Sequence, residues 1–122
     1  MKAVLAIIEG EAGRIMILQD HEGLPGLPRA EIEATQGPLK VLRRTVVEST
    51  GLEISGWSEL SVLSKEKHQM HGYRAYTTGG KARQFPTKEY QSLSWIAPDL
   101  AVKILTGEAT HHFLKDRYPY LY

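Results

Sequence analysis

The sequence predicts an α/β domain in which a mixed β-sheet is sandwiched between helices. Three observations carry that prediction. Residues 3 to 8 are an unbroken apolar run of mostly β-favouring side chains, as expected of a strand covered on both faces. Leu39, Leu42 and Val46 recur at helical spacing and mark one amphipathic helix. The elements follow the order strand, strand, loop, helix, three strands, helix, which implies a sheet packed between helices.

The first strand ends at Glu9. Glu9-Gly10-Glu11-Ala12-Gly13 reads as a turn, and Arg14 to Leu18 as a second strand that closes a hairpin with the first. Residues 19 to 38 hold three prolines and three glycines and are expected to be a loop. A helix follows over Leu39 to Thr50, with Pro38 suited to its first position and Gly51 to a left-handed cap. Strands return at Trp57–Ser64 and Met70–Thr78, with Gly79-Gly80 as a turn, and Gln91–Ile96 is a short last strand. Pro98 opens a helix expected to run to Gly107, with Leu100, Ala101, Ile104 and Leu105 on one face. A second short helix covers Glu108 to Arg117, ahead of a tyrosine-rich tail.

Bulk properties narrow the field. The 122 residues fit one domain, 1–122, with a single core, and no repeat or low-complexity segment interrupts them. A formal charge of +1 argues against bulk nucleic acid or an anionic membrane as partner. With no cysteine there are no disulfides, zinc-thiolate sites or thiol nucleophiles, in keeping with a cytoplasmic location. The apolar start lacks a small-residue cleavage site, and no stretch approaches the roughly 20 apolar residues that span a bilayer.

The chemistry concentrates between residues 27 and 52. Leu27-Pro28-Arg29-Ala30 is followed by Gln36, and the helix then reads Arg44-Thr45-Val46-Val47-Glu48-Ser49-Thr50-Gly51-Leu52. This stretch resembles the box of the Nudix family, G-x5-E-x7-R-E-U-x-E-E-x-G-U with U aliphatic, which usually follows Leu-Pro-Gly. In one ungapped register Arg44, Val46, Glu48, Gly51 and Leu52 match, and Leu27-Pro28 stands where the family has Leu-Pro. Ala30 replaces the glycine, and Gln36, Thr45 and Ser49 replace three of the glutamates. A rival register takes Leu24-Pro25-Gly26 as the Leu-Pro-Gly and needs an insertion before the helix. It would move Glu31 or Glu33 into the position that Gln36 holds in the ungapped register. The resemblance implies a Nudix-like (MutT-like) α/β/α sandwich.

The resemblance also implies a site. Helical glutamates at i, i+3 and i+4 share one face, and in the family they hold Mg²⁺ or Mn²⁺, which neutralises a pyrophosphate and activates water. In this chain those positions are Thr45, Glu48 and Ser49, so a single anion remains. Glu48 is the candidate catalytic and metal-binding residue, in a site that is weak or absent. Mg²⁺ sites often use only one or two carboxylates plus substrate phosphates, so a reduced, substrate-dependent site at Glu48 stays open. Its plain alternative is a solvent-facing helical glutamate paired with Arg44.

Candidate ligand-binding residues are Glu31, Glu33, Arg44, Thr45, Ser49, Arg74 and Arg83; Lys81 and Lys88 join Arg74 and Arg83 as phosphate donors if they face the cleft. His111-His112 point about 100° apart on a helix, and His68 and His71 lie on opposite faces of a strand, so neither pair chelates one ion. No Ser-His-Asp triad is legible. Trp57, Trp95 and the tail tyrosines are expected in core or interface, with Tyr118, Tyr120 and Tyr122 as candidates for a dimer surface.

Three functions compete. The leading one is a protein that binds a nucleotide or related phosphorylated small molecule, with little or no pyrophosphatase activity. The second is an active, Mg²⁺- or Mn²⁺-dependent hydrolase of nucleoside diphosphate derivatives, using Glu48 with Glu31, Glu33 or Glu89. The third is a non-catalytic homodimeric interaction module.

Overall fold

The apolar run folds as β1 (Lys2–Glu9), and its alternation builds both faces of the sheet. In the computed structural model, which describes residues 1–33 and 35–122, Val4, Ala6 and Ile8 point into one core. Leu5 and Ile7 point into the other. Ala34, inside the expected loop, lies outside the described residues. The expectation of a strand covered on both faces holds.

The hairpin does not hold as expected. β1 meets β2 (Ile15–Asp20) at one pair only, Glu9 with Ile15. A single 3₁₀ turn over Glu11–Gly13, with Ala12 at φ 56°, joins them, and the strands then part. β1 instead pairs in parallel along its whole length with β6 (His68–Gly80) and antiparallel with β4 (Arg29–Ile32). β2 takes β7 (Tyr90–Ile96) and the two-residue β3 (Pro25–Gly26). A strand this apolar is stabilised by neighbours on both edges, which a local hairpin cannot supply. β3 and β4 also correct the long loop expected over 19–38. Pro25 sits at a short edge ladder where no donor is needed, and in β4 the partly covered Ala30 and buried Ile32 alternate with exposed Arg29 and Glu31.

Helix α1 (Pro38–Thr50) starts at its proline and ends in Gly51, whose φ of 78° is left-handed and whose N–H donates to the Val47 carbonyl at 2.9 Å. Val41, Leu42 and Val46 are fully buried against the first core, each worth roughly 1.5–3 kcal/mol. β5 (Leu52–Lys65) and β6 are longer than expected and turn at Glu66-Lys67, with Glu66 at φ 55°. Gly79 and Gly80, expected as a turn, instead close the end of β6 opposite Glu53 and Leu52. A side chain at Gly80 would strike the Gly51 carbonyl, so the glycine serves close approach rather than reversal.

On the other face lie α2 (Pro98–Ile104) and α3 (Glu108–Arg117). α2 stops short of Gly107, which instead caps α3 at φ 105°. Of its four expected core residues only Ala101 and Leu105 are buried; Leu100 and Ile104 are 45% and 40% exposed. So short a helix gives the core one line of contacts rather than a broad face. α1 packs on β1, β4 and β5, and α3 on β1, β5 and β6, which completes the sandwich. Trp95 packs beside the first core and over Gly10, whereas Trp57 is half exposed with the Arg43 guanidinium 5.7 Å above its ring. Tyr118 is buried, while Tyr120 and Tyr122 are exposed. Among the described residues no helix is long and apolar enough to cross a membrane.

Candidate functional site

The second half of α1 presents Thr45, Glu48 and Ser49 to an open cavity of about 530 Å³. Helical spacing puts the three on one face, with the two hydroxyl residues half-buried and Glu48 exposed. Facing them are Arg29 from β4, Arg83 from the segment after β6, and Lys88, Glu89 and Tyr90 leading into β7. The cavity therefore sets three cations and several hydroxyls against two carboxylates.

Local bonds fix the walls. The Arg83 N–H donates to the Thr50 carbonyl and its Nε to the Glu48 carbonyl, both at 2.8 Å. This approach requires Gly51, because a side chain there would run into the Lys81 carbonyl. The loop carrying Lys88 and Glu89 is closed at its base. Thr87 N–H donates to the Tyr90 carbonyl at 2.8 Å, and Tyr90 N–H to the Thr87 hydroxyl at 3.1 Å. His21 ties that loop down by donating Nε2–H to the Thr87 carbonyl at 2.7 Å. Burial and the charges of Glu89 and Asp20 push the Tyr90 hydroxyl above its ordinary range despite Arg29, so it stays a neutral donor.

Of the residues singled out from sequence, the cavity gathers Thr45, Glu48, Ser49, Arg83, Lys88 and Glu89. Glu31, Glu33, Arg44 and Arg74 do not line it. Glu31 lies exposed on β4 opposite Ala3. Glu33 begins a turn closed by Gln36, whose side-chain oxygen accepts the Glu33 N–H at 3.3 Å, so Gln36 serves the chain entry into α1. Arg44 is exposed, and among the described residues it forms no ion pair with Glu48. Arg74 is on the far face of the sheet, where it and Arg117 bond the carboxylate of Glu9 at 2.5 and 2.9 Å. Adjacent strand residues face opposite ways, and Arg74 alternates with the core residues Tyr73 and Ala75 on the α1 side. Burial opposes the charge on Glu9, but hydrogen bonds from Arg117 and Arg74 hold its pKa below the usual carboxylate value.

Sequence reasoning missed Arg29 and Glu9. Arg29 follows Leu27-Pro28 in what reads as loop, and only the alternation Arg29-Ala30-Glu31-Ile32 hints at an outward-facing strand position. The histidines diverge as expected. His111 donates Nε2–H to the Leu105 carbonyl at 2.7 Å and accepts from the Tyr122 hydroxyl, while His112 faces Ser61 and Asp116. That serine, histidine and aspartate do converge. However, Ser61 donates to Asp116, and one nitrogen of His112 faces both partners, so nothing withdraws a proton from the serine toward a relayed base.

As a divalent-metal site the donor set is poor. Glu48 is the only carboxylate on its helix face, Glu89 comes from a separate loop, and among the described residues no three of His, Cys, Asp or Glu converge. The residues present do not fit a metal cluster.

No protein-family model matches the sequence, and no curated protein is significantly similar to it. Solved structures are similar in fold. A NUDIX hydrolase from Nitrosomonas europaea superposes with a TM-score of 0.79 at 11% identity, covering 97% of this chain and 88% of that one. The NUDIX domain of Shewanella oneidensis NrtR, solved with ADP ribose, gives 0.77 at 13% identity over 100% and 88%. A MutT NUDIX hydrolase from Burkholderia pseudomallei gives 0.73 at 21% identity over 94% and 95%. With the mixed sheet held between α1 and α3, these likenesses establish that the chain has the Nudix, MutT-like fold.

Proposed function

We propose that the cleft beside α1 binds a nucleotide or related phosphorylated small molecule, and that hydrolysis there is weak or lost. The observation that carries this reading is the convergence of Arg29, Arg83 and Lys88 on one cavity with the hydroxyls of Thr45, Ser49 and Tyr90. Guanidinium and ammonium groups bind phosphate through charge-assisted hydrogen bonds, and hydroxyls complete its acceptor shell. The single helical carboxylate, Glu48, argues for binding over metal-assisted hydrolysis. We place this activity in the cytoplasm, which suits a chain with no cysteine. Exposed Tyr120 and Tyr122 remain the candidate dimer surface.

ADP ribose, held by the Shewanella neighbour, is the first probe, with ADP beside it. A ligand selective for the folded state stabilises by about 2.7 kcal/mol at a hundred times its Kd, so the melting midpoint should rise with concentration. Product release from the same compounds with Mg²⁺ or Mn²⁺ should stay near background. Robust metal-dependent turnover, abolished by Glu48→Gln, would overturn the binding-only reading in favour of an active hydrolase.

A further inference from the structure

The carboxyl end of a helix carries partial negative charge, which repels an anion. In α1 most of the carbonyls at that end are capped by the chain itself. The Val46 carbonyl accepts from the Thr50 hydroxyl at 2.7 Å and the Val47 carbonyl from Gly51 N–H at 2.9 Å. Arg83 takes the carbonyls of Glu48 and Thr50. Its Nε is thereby occupied, and among the described residues no protein group bonds its terminal nitrogens. Arg29 and Lys88 likewise enter no ion pair among the described residues. Three side-chain cations thus stand in one cavity with no carboxylate partner among the described residues, while Glu48 and Glu89 approach from separate elements.

This arrangement opposes a dication. Mg²⁺ dehydrates reluctantly and demands near-octahedral oxygen ligands. Two carboxylates on different elements offer little of that, and three neighbouring positive charges repel the ion. The same three charges attract a phosphate, and the planar guanidinium of Arg83 matches it through two parallel N–H bonds.

We propose that this cleft takes a phosphorylated ligand as the free, metal-uncomplexed anion, with Arg83, Arg29 and Lys88 supplying the positive charge. The inference rests on the reading of the cleft as a phosphate site. Excess Mg²⁺ then competes for the ligand instead of assisting its binding.

The test is calorimetric titration of the full chain with inorganic pyrophosphate, in EDTA and in excess Mg²⁺. Binding is expected in EDTA and is weaker in Mg²⁺. Arg83→Gln should weaken binding in EDTA about tenfold through loss of a charge-assisted pair. Because Arg83 also covers the end of α1, Lys88→Gln and Arg29→Gln are measured alongside; both side chains are exposed and, among the described residues, enter no ion pair. Restoring acids with Thr45→Glu and Ser49→Glu should invert the pattern, giving poor binding in EDTA and recovery with Mg²⁺. Wild-type binding that requires Mg²⁺ would overturn this inference and leave the phosphate site standing. Unchanged affinity in both Lys88→Gln and Arg29→Gln would likewise overturn it. An absence of binding in both buffers would overturn the phosphate site as well.

Discussion

Glu9 ends a strand that is apolar from Ala3 to Ile8, and its side chain, only 8% exposed, lies beneath two guanidiniums that each stack on a tyrosine, Arg74 on Tyr76 and Arg117 on Tyr118. Its pKa is lowered in the folded state, so the folded protein holds its proton less tightly than the unfolded chain. The stability it contributes is therefore complete above the ordinary carboxylate range. It declines as pH falls through that range and is gone below the lowered value. Glu9→Gln should cost about 2 kcal/mol at neutral pH, less than for a fully buried pair because both arginines reach solvent. Urea titrations across pH should show wild type and variant separated at neutrality and converging below about pH 5; a constant gap down to strong acid would refute the role. None of this network was legible in advance, because Glu9 and Arg117 stand at opposite ends of the chain and nothing local links them. The cleft was more legible. Thr45, Glu48 and Ser49 were legible through the resemblance to the Nudix box, and helical spacing then put them on one face, whereas Arg74 was misplaced because a strand residue's face cannot be read where alternation is imperfect.

Gly72 shows what fixes an element to its neighbour. A β-carbon there would fall within the ring of Phe113, the largest fully buried side chain, so β6 and α3 approach only because position 72 has none. Gly72→Ala should destabilise by about 2 kcal/mol through overpacking. Hydrogen exchange should report lost protection in α3 before α1, and equal loss in both helices would count against a local wedge. Helix α1 was readable to within a residue because its proline, apolar stripe and capping glycine agree. β3 and β4 were not, since proline and glycine usually signal loop and a four-residue alternation is too short to stand out. Gly79 and Gly80 misled for the same reason, because a glycine needed for close approach looks in sequence like one needed for a turn.

The fold class followed from element order, but the pairing did not, since order alone does not say that β1 lies parallel to β6. That pairing couples the whole molecule. β1 contributes alternate residues to both cores, so neither face of the sheet can be lost while the other stays intact. Tryptophan fluorescence, which follows Trp95 beside the first core, and far-ultraviolet circular dichroism should give superimposable urea transitions; separate midpoints would show that the two faces unfold independently. The parting of β1 from β2 also bears on synthesis. The most apolar strand is synthesised well ahead of its longest partner, which spans residues 68 to 80. Until that segment emerges, β1 has only β4, α1 and a single ladder pair with β2 to shield it. The nascent chain thus carries its stickiest segment with one long edge open until β6 emerges, an interval in which non-local pairing leaves a chain open to aggregation and to capture by chaperones.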